Sequence, residues 1–144
     1  MAAFDIKQVH LMLNERVITG FTAENNAIDY KYAKDAGEYA IGAHGTGVFV
    51  SNPDESTVLT LRMLQHHPDC AWLSQQRALQ RKSLKVFTPF SLIITDLLND
   101  DVATGSKGYF TALPAYTRGA QHNPNAFTMV FETGSMLLMP GMGY

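Results

Sequence analysis

The stretch from Gly42 to Gln65 constrains the fold more than any other. A glycine-rich turn (Gly42-Ala43-His44-Gly45-Thr46-Gly47) leads into a short strand, Val48-Phe49-Val50. A tight reversal (Ser51-Asn52-Pro53-Asp54-Glu55) then feeds a long alternating strand from Ser56 to Gln65. In Leu59-Thr60-Leu61-Arg62-Met63 the odd positions are apolar and the even ones polar. A period of two puts one face on a core and the other toward water or a partner. Pro53 presets a turn angle, and Asn52 and Asp54 can bond nearby backbone groups. The pattern predicts an antiparallel sheet built for pairing, with no chemistry at its turn.

The length, 144 residues, suits one domain spanning the whole chain, 1–144. Only 17% of residues are charged, against roughly a quarter in typical soluble domains. That fits a protein that hides surface in an assembly, although a plain β domain can share it. The formal net charge is −2, and no basic stripe of the kind that grips nucleic acid is visible. A single cysteine, Cys70, allows no internal disulfide. The opening residues lack a signal-peptide pattern and the apolar runs fall short of a membrane span. The expectation is a soluble protein made in a cytoplasm, with no membrane partner.

Phe4 to Leu13 reads as a strand, Asn14-Glu15-Arg16 as its turn, and Val17 to Phe21 as the antiparallel return. Residues 22–47 form a long connection that carries Ile28, Tyr30, Tyr32, Tyr39 and Ile41. Long connections are commonly functional or disordered, and this one is too apolar for disorder. It reads as an extended, hairpin-like arm whose apolar side must be covered. The spacing predicts a helix over 68–82, with Pro68 and Asp69 at its start and Arg77, Arg81 and Lys82 toward its end. Its apolar stripe (Trp72, Leu73, Leu79) is narrow, so it lies on a surface. Lys85 to Leu98 is apolar on both faces and reads as a doubly buried strand. Asn99-Asp100-Asp101 and Thr104 to Gly108 read as turns, and Tyr109–Tyr116 and Ala126–Leu138 as strands. The apolar end, 135–144, is either a last core strand or an intermolecular arm. The fold class is mainly β: an antiparallel sandwich or small barrel with one surface helix and a long extended loop.

Candidate chemistry is sparse. His66 and His67 are adjacent at a strand end and diverge, and His10, His44 and His122 are scattered, so no zinc-like spacing appears. Cys70 has no patterned partner and reads as a small buried residue. The Gly42–Gly47 turn has the wrong order for a dinucleotide fingerprint and no Lys-Ser/Thr to close a phosphate loop. The carboxylates sit mostly at turns, and nothing selects a catalytic pair. Tyr30, Tyr32 and Tyr39 could stack bases, but acidic residues interleave with them, so they read as interface aromatics. No catalytic residue, metal or cofactor is expected.

Several pieces carry a family resemblance by their order: Ile18-Thr19-Gly20-Phe21, Ala27-Ile28, Gly42-Ala43-His44-Gly45, Val50-Ser51-Asn52, the strand Thr57–Leu64, Gln65-His66-His67-Pro68 and Leu73. The chain resembles the tail tube proteins of contractile-tailed bacteriophages over about its first half. That resemblance implies six subunits in a ring sharing one β-barrel, with rings stacked into a hollow genome conduit inside a contractile sheath. Its implied partners are copies of itself, the sheath, the baseplate hub, the tail terminator and the tape measure protein, with double-stranded DNA passing through. The implied location is the virion tail, assembled in the cytoplasm of a bacterial host. On this reading the 22–47 arm (Ile28, Tyr30, Tyr32, Tyr39, Ile41) stacks rings, and deleting Asn26–Glu38 leaves a folded subunit that cannot elongate. Arg77, Arg81 and Lys82 face the sheath. Thr57, Thr60, Thr128 and Glu132, with Asp96, Asp100 and Asp101, line a lumen that repels phosphate. Two alternatives stay open: the inner tube of a related secretion or bacteriocin-like machine, and a small β-barrel ligand-binding protein or enzyme.

Overall fold

A computed structural model describes residues 3–112 and 114–141. A short 3-10 turn, Ile6–Gln8, precedes nine strands and one helix: β1 (Val9–Leu13), β2 (Arg16–Ile18), β3 (Ile28–Tyr32), β4 (Gly37–Ile41), β5 (Gly47–Ser51), β6 (Thr57–Met63), α1 (Pro68–Lys82), β7 (Phe90–Asp96), β8 (Val102–Ala112) and β9 (Asn125–Leu137). Seven strands form one antiparallel sheet in the order β2-β1-β7-β8-β9-β6-β3, and β4 and β5 form a separate two-stranded sheet.

The long alternating strand behaves as its period demands. Thr57, Leu59, Leu61 and Met63 on β6 are buried, and Val58, Thr60 and Arg62 face away. On β9 the residues Phe127, Met129 and Phe131 share that buried side. Leu11, Leu13, Phe90, Leu92 and Phe110 complete one core on the same face of the sheet. The ring of Phe90 meets Trp72, Phe87 and Phe110 edge-on at 5.3–6.0 Å, the arrangement aromatic quadrupoles favour. Gly108 and Gly134 in β8 and β9 admit the Phe131 ring and the Tyr30–Thr57 pair, since a Cβ at either position would overlap them.

The helix starts and stops where the sequence places it. His67 caps it by accepting from the Asp69 N–H at 3.1 Å. The β1–β2 turn has two residues in the left-handed region, Asn14 (φ 49°) and Glu15 (φ 72°), as a tight hairpin requires. Asn14 also exchanges two hydrogen bonds with Ser91, which stitches the turn to β7.

Several expectations are corrected. The first strand begins at Val9, because Asp5 caps the preceding 3-10 turn by accepting from the Lys7 N–H. β5 does not fold back on β6; it pairs with β4, while β6 lies between β3 and β9. β7 is buried on one face only, and Ile93 on its other face is exposed. The 104–108 segment is not a loop but the middle of β8, which runs eleven residues. That strand ends at Ala112, short of Tyr116. The last strand stops at Leu137, with Leu138 and Met139 exposed beyond it. The final residues of the apolar end, 142–144, lie outside the described residues.

Candidate assembly surfaces

The sheet buries one face under the core and α1 and leaves the other bare. Register places Asp29, Thr60, Thr128 and Ala112 in one row across β3, β6, β9 and β8 on the bare face. Thr104 and Ser135 form a second such pair, with their hydroxyls 2.7 Å apart. Ser106 faces Thr133, and Lys107 meets Glu132 at 3.3 Å. The charges on this face are Asp29 and Glu132 against Lys31, Arg62 and Lys107. It is therefore a hydroxyl-rich, nearly charge-balanced surface and not an acidic one.

This geometry sorts the expected lumen residues. Thr60 and Thr128 lie opposite one another on the bare face, and Glu132 is exposed there. Thr57 is corrected: it is wholly buried and bonds the Tyr30 hydroxyl at 2.8 Å. It shares the parity of Leu59 and Leu61, which the alternation should have revealed. Asp96 is corrected too. It is buried and builds the β7–β8 turn by accepting from the Leu98 and Asn99 N–H groups and the Asn99 amide. Asp100 is exposed at that turn, and Asp101 accepts from the Met139 N–H at 2.6 Å.

The arm divides into two parts. Ile28 and Tyr30 lie in β3, the last strand of the main sheet, and pack on the core. The Tyr30 hydroxyl donates to the Thr104 carbonyl at 2.6 Å. Burial pushes the Tyr30 phenol up; the Thr57 hydrogen bond opposes this and the nearby Tyr32 adds to it. Tyr32, at the end of β3, is partly exposed. The projecting element is the β4–β5 hairpin. It is pinched at its base by the Asn52 N–H donating to the Ala36 carbonyl at 2.8 Å. Its tip turns through Gly45 at φ 86°, a conformation that costs glycine nothing. Tyr39 and Phe49 pair edge-on at 5.3 Å on one hairpin face. Tyr39, Ile41, Val48, Phe49 and Val50 are each more than half exposed. Val48-Phe49-Val50 thus adds exposed apolar surface, which the sequence signals only as an apolar run beside a glycine turn.

One buried polar anchor also escaped the sequence. Asp69, in the first turn of α1, accepts from Arg16 Nε at 3.1 Å and Arg16 Nη2 at 2.7 Å. It also accepts from the Thr19 N–H at 2.7 Å and the Thr19 hydroxyl at 3.0 Å. Burial alone would raise its carboxyl, but these bonds and the Arg16 charge outweigh it and hold the group below the usual carboxylate value. Arg16 also stacks over Trp72 at 5.0 Å. The helix is thereby locked to both ends of β2.

Among the described residues no three His, Cys, Asp or Glu side chains gather to hold a metal. No helix among them is long and apolar enough to cross a membrane. A mainly apolar cavity of about 340 Å³ opens at one end of the sheet beside Phe4, Ile6, Ile28, Ile94 and Leu138. Its carboxylates are engaged: Asp96 in its turn, Asp101 on Met139, and Glu24 at 3.8 Å from Arg62.

No family model matches this chain, and no curated protein matches it. Several chains of solved structures do, two of them as follows. One is a chain of the sheath-tube complex of PVC, an extracellular contractile injection system, in its extended state; the TM-score is 0.62 at 13% identity, over 95% of this chain and 93% of that one. The other is a chain of the anti-feeding prophage cap, the tube-terminating cap of AFP, with a TM-score of 0.56 at 9% identity over 96% and 93%. The seven-stranded antiparallel sheet with its helix is thus a fold shared with chains of these two contractile assemblies.

Proposed function

We propose that this protein is a structural tube subunit of a contractile injection machine, and that its rings stack into a hollow conduit. The observation that carries the reading is the half-dressed sheet. One face is packed under core and helix, the other is bare, and among the described residues the borders at β2 and β3 gain no further strand beyond a single Phe21–Met63 bridge. Unpaired strand borders pair readily with another chain. A head-to-tail contact between the two borders closes a ring if the rotation closes. Six copies then form one continuous barrel with the hydroxyl-rich face inward and α1 outward. The exposed hairpin covers its Tyr39, Ile41 and Phe49 against neighbouring copies and the adjoining ring.

In the phage form of this reading, the tube carries the tape measure protein and then double-stranded DNA. It sits in a virion tail assembled in a bacterial cytoplasm, bounded by baseplate hub and tail terminator and wrapped by the sheath. A nearly neutral wall suits passage, because few counterions are released on contact and little sticking follows. A second reading, the tube of an extracellular injection particle, is favoured by both structural matches. Negative-stain microscopy of the purified protein tests the shared core of both: rings or tubes are expected, and monomers alone at high concentration would refute it. Particles purified from the source separate the two readings by whether they contain DNA.

A further inference from the structure

Arg77, Arg81 and Lys82 lie on the last turns of α1, with Arg77 and Arg81 four residues apart on one face. A groove of about 600 Å³ runs between them and β8, lined by Arg77, Gln80, Arg81, Leu84, Phe110 and Thr111. Gln80 fixes its floor. Its amide Nε2 donates to the Phe110 carbonyl at 3.0 Å, and its Oε1 accepts from the Phe110 N–H at 2.8 Å. The helix therefore stands against β8 as a strand would, just where β7 has run out.

Among the described residues the cations of this groove have no counter-charge. Ion pairs among the described residues join Arg16, Arg62, His67 and Lys107 to acids, and none involves Arg77, Arg81 or Lys82. The helix dipole accounts for cations in the final turn, Arg81 and Lys82, but not for Arg77 one turn earlier. Arg77 Nε is shielded from solvent and has no hydrogen-bond acceptor. A buried donor without an acceptor is unfavourable until a partner supplies one. Leu79, Leu84 and Val86 lie exposed on and just after the helix, so the surface offers guanidinium forks beside apolar side chains. Planar forks match carboxylates in two-pronged geometry.

We propose that this groove is the docking site for an acidic, amphipathic protein segment from outside the tube, whose carboxylates pair with Arg77 and Arg81 and whose apolar side chains cover Leu84. The inference rests on the tube reading only in placing α1 on the outer surface. The test is fluorescence anisotropy of the full chain with a short labelled peptide of alternating Glu and Leu. Its Gln-for-Glu counterpart and a short DNA duplex serve as competing probes. The Glu peptide should bind, and should weaken at least tenfold between about 0.05 M and about 0.3 M salt as screening grows. Arg77→Glu with Arg81→Glu should lower its affinity at least tenfold, and Arg77→Lys about threefold or more, since charge survives but the fork is lost. Equal binding of the Gln peptide, preference for the duplex, or unchanged affinity in the variants overturns the proposal. Microscopy of the wild-type protein keeps the two readings apart: tubes without peptide binding sink only this inference, and peptide binding without tubes sinks the tube.

Discussion

Replacing Asp69 with Ala removes the carboxylate that ties α1 to both ends of β2. Four hydrogen bonds are lost, two from Arg16 and two from Thr19. Bonds to charged groups contribute about 1.5–3 kcal/mol each when their partners cannot find water. Here water can reach the partners: the Arg16 side chain is 39% exposed, and Thr19 is exposed. A discounted contribution of about 0.7 kcal/mol per bond gives about 3 kcal/mol in all. For a chain of 144 residues the entropy of unfolding is about 0.3 kcal/mol/K, so the melting temperature should fall by about 10 °C. The assay is thermal and urea unfolding of unassembled protein at one fixed low concentration, because assembly makes stability concentration-dependent. A cycle with Arg16→Gln should give a coupling of at least about 1 kcal/mol. A loss below about 1 kcal/mol, or no coupling, would refute the claim that this anchor holds the helix down.

The same carboxyl sets an acid limit. Its folded value lies below its unfolded one, so its contribution is fully present above the unfolded value of about 3.9 and is lost as pH falls through the folded value. Wild-type stability should therefore drop more steeply below about pH 4 than that of Asp69→Asn, as read by acid unfolding. Tyr30→Phe should cost about 1–3 kcal/mol in urea unfolding, because it strands the buried Thr57 hydroxyl. Adding Thr57→Val should recover part of that loss, and a further loss would contradict the network. Excising Asn26–Glu38, the deletion suggested by sequence, removes all of β3 and the first two residues of β4 and should yield aggregated protein. Replacing residues 37–51 with a short Gly-Ser link should instead leave a soluble, folded subunit, since Ala36 and Asn52 are already hydrogen-bonded. That variant should form rings that do not elongate under the microscope, and normal tubes from it would remove the hairpin from ring stacking. Gly134→Ala should give mostly insoluble protein on expression, because its Cβ would enter the space of Tyr30 and Thr57.

Local rules decided much of this molecule in advance. The alternation in β6 and β9 assigned their buried faces, and Pro68, Asp69 and the terminal cations bounded α1 at the residues observed. The order of small motifs carries the resemblance to a tube-like fold. These signals were legible because each depends on neighbours within a few positions: a period of two, a cap, a dipole.

What the sequence could not supply is which strand meets which. β5 adjoins β6 in the chain, yet it pairs with β4 and swings out as a hairpin, while β3 from the same connection joins the main sheet. Nothing local separates Tyr30, which the core claims, from Tyr39, which stays exposed. Asp69 and Arg16 are 53 positions apart, and their union follows from where the helix lands, not from any spacing. Ile93 is apolar but faces out because a single sheet has only one covered side. Side-chain parity and capping were written in the chain. Partnership between distant strands, and so the identity of the bare face and the unpaired borders, came only from tertiary packing, where burial outweighs local preference.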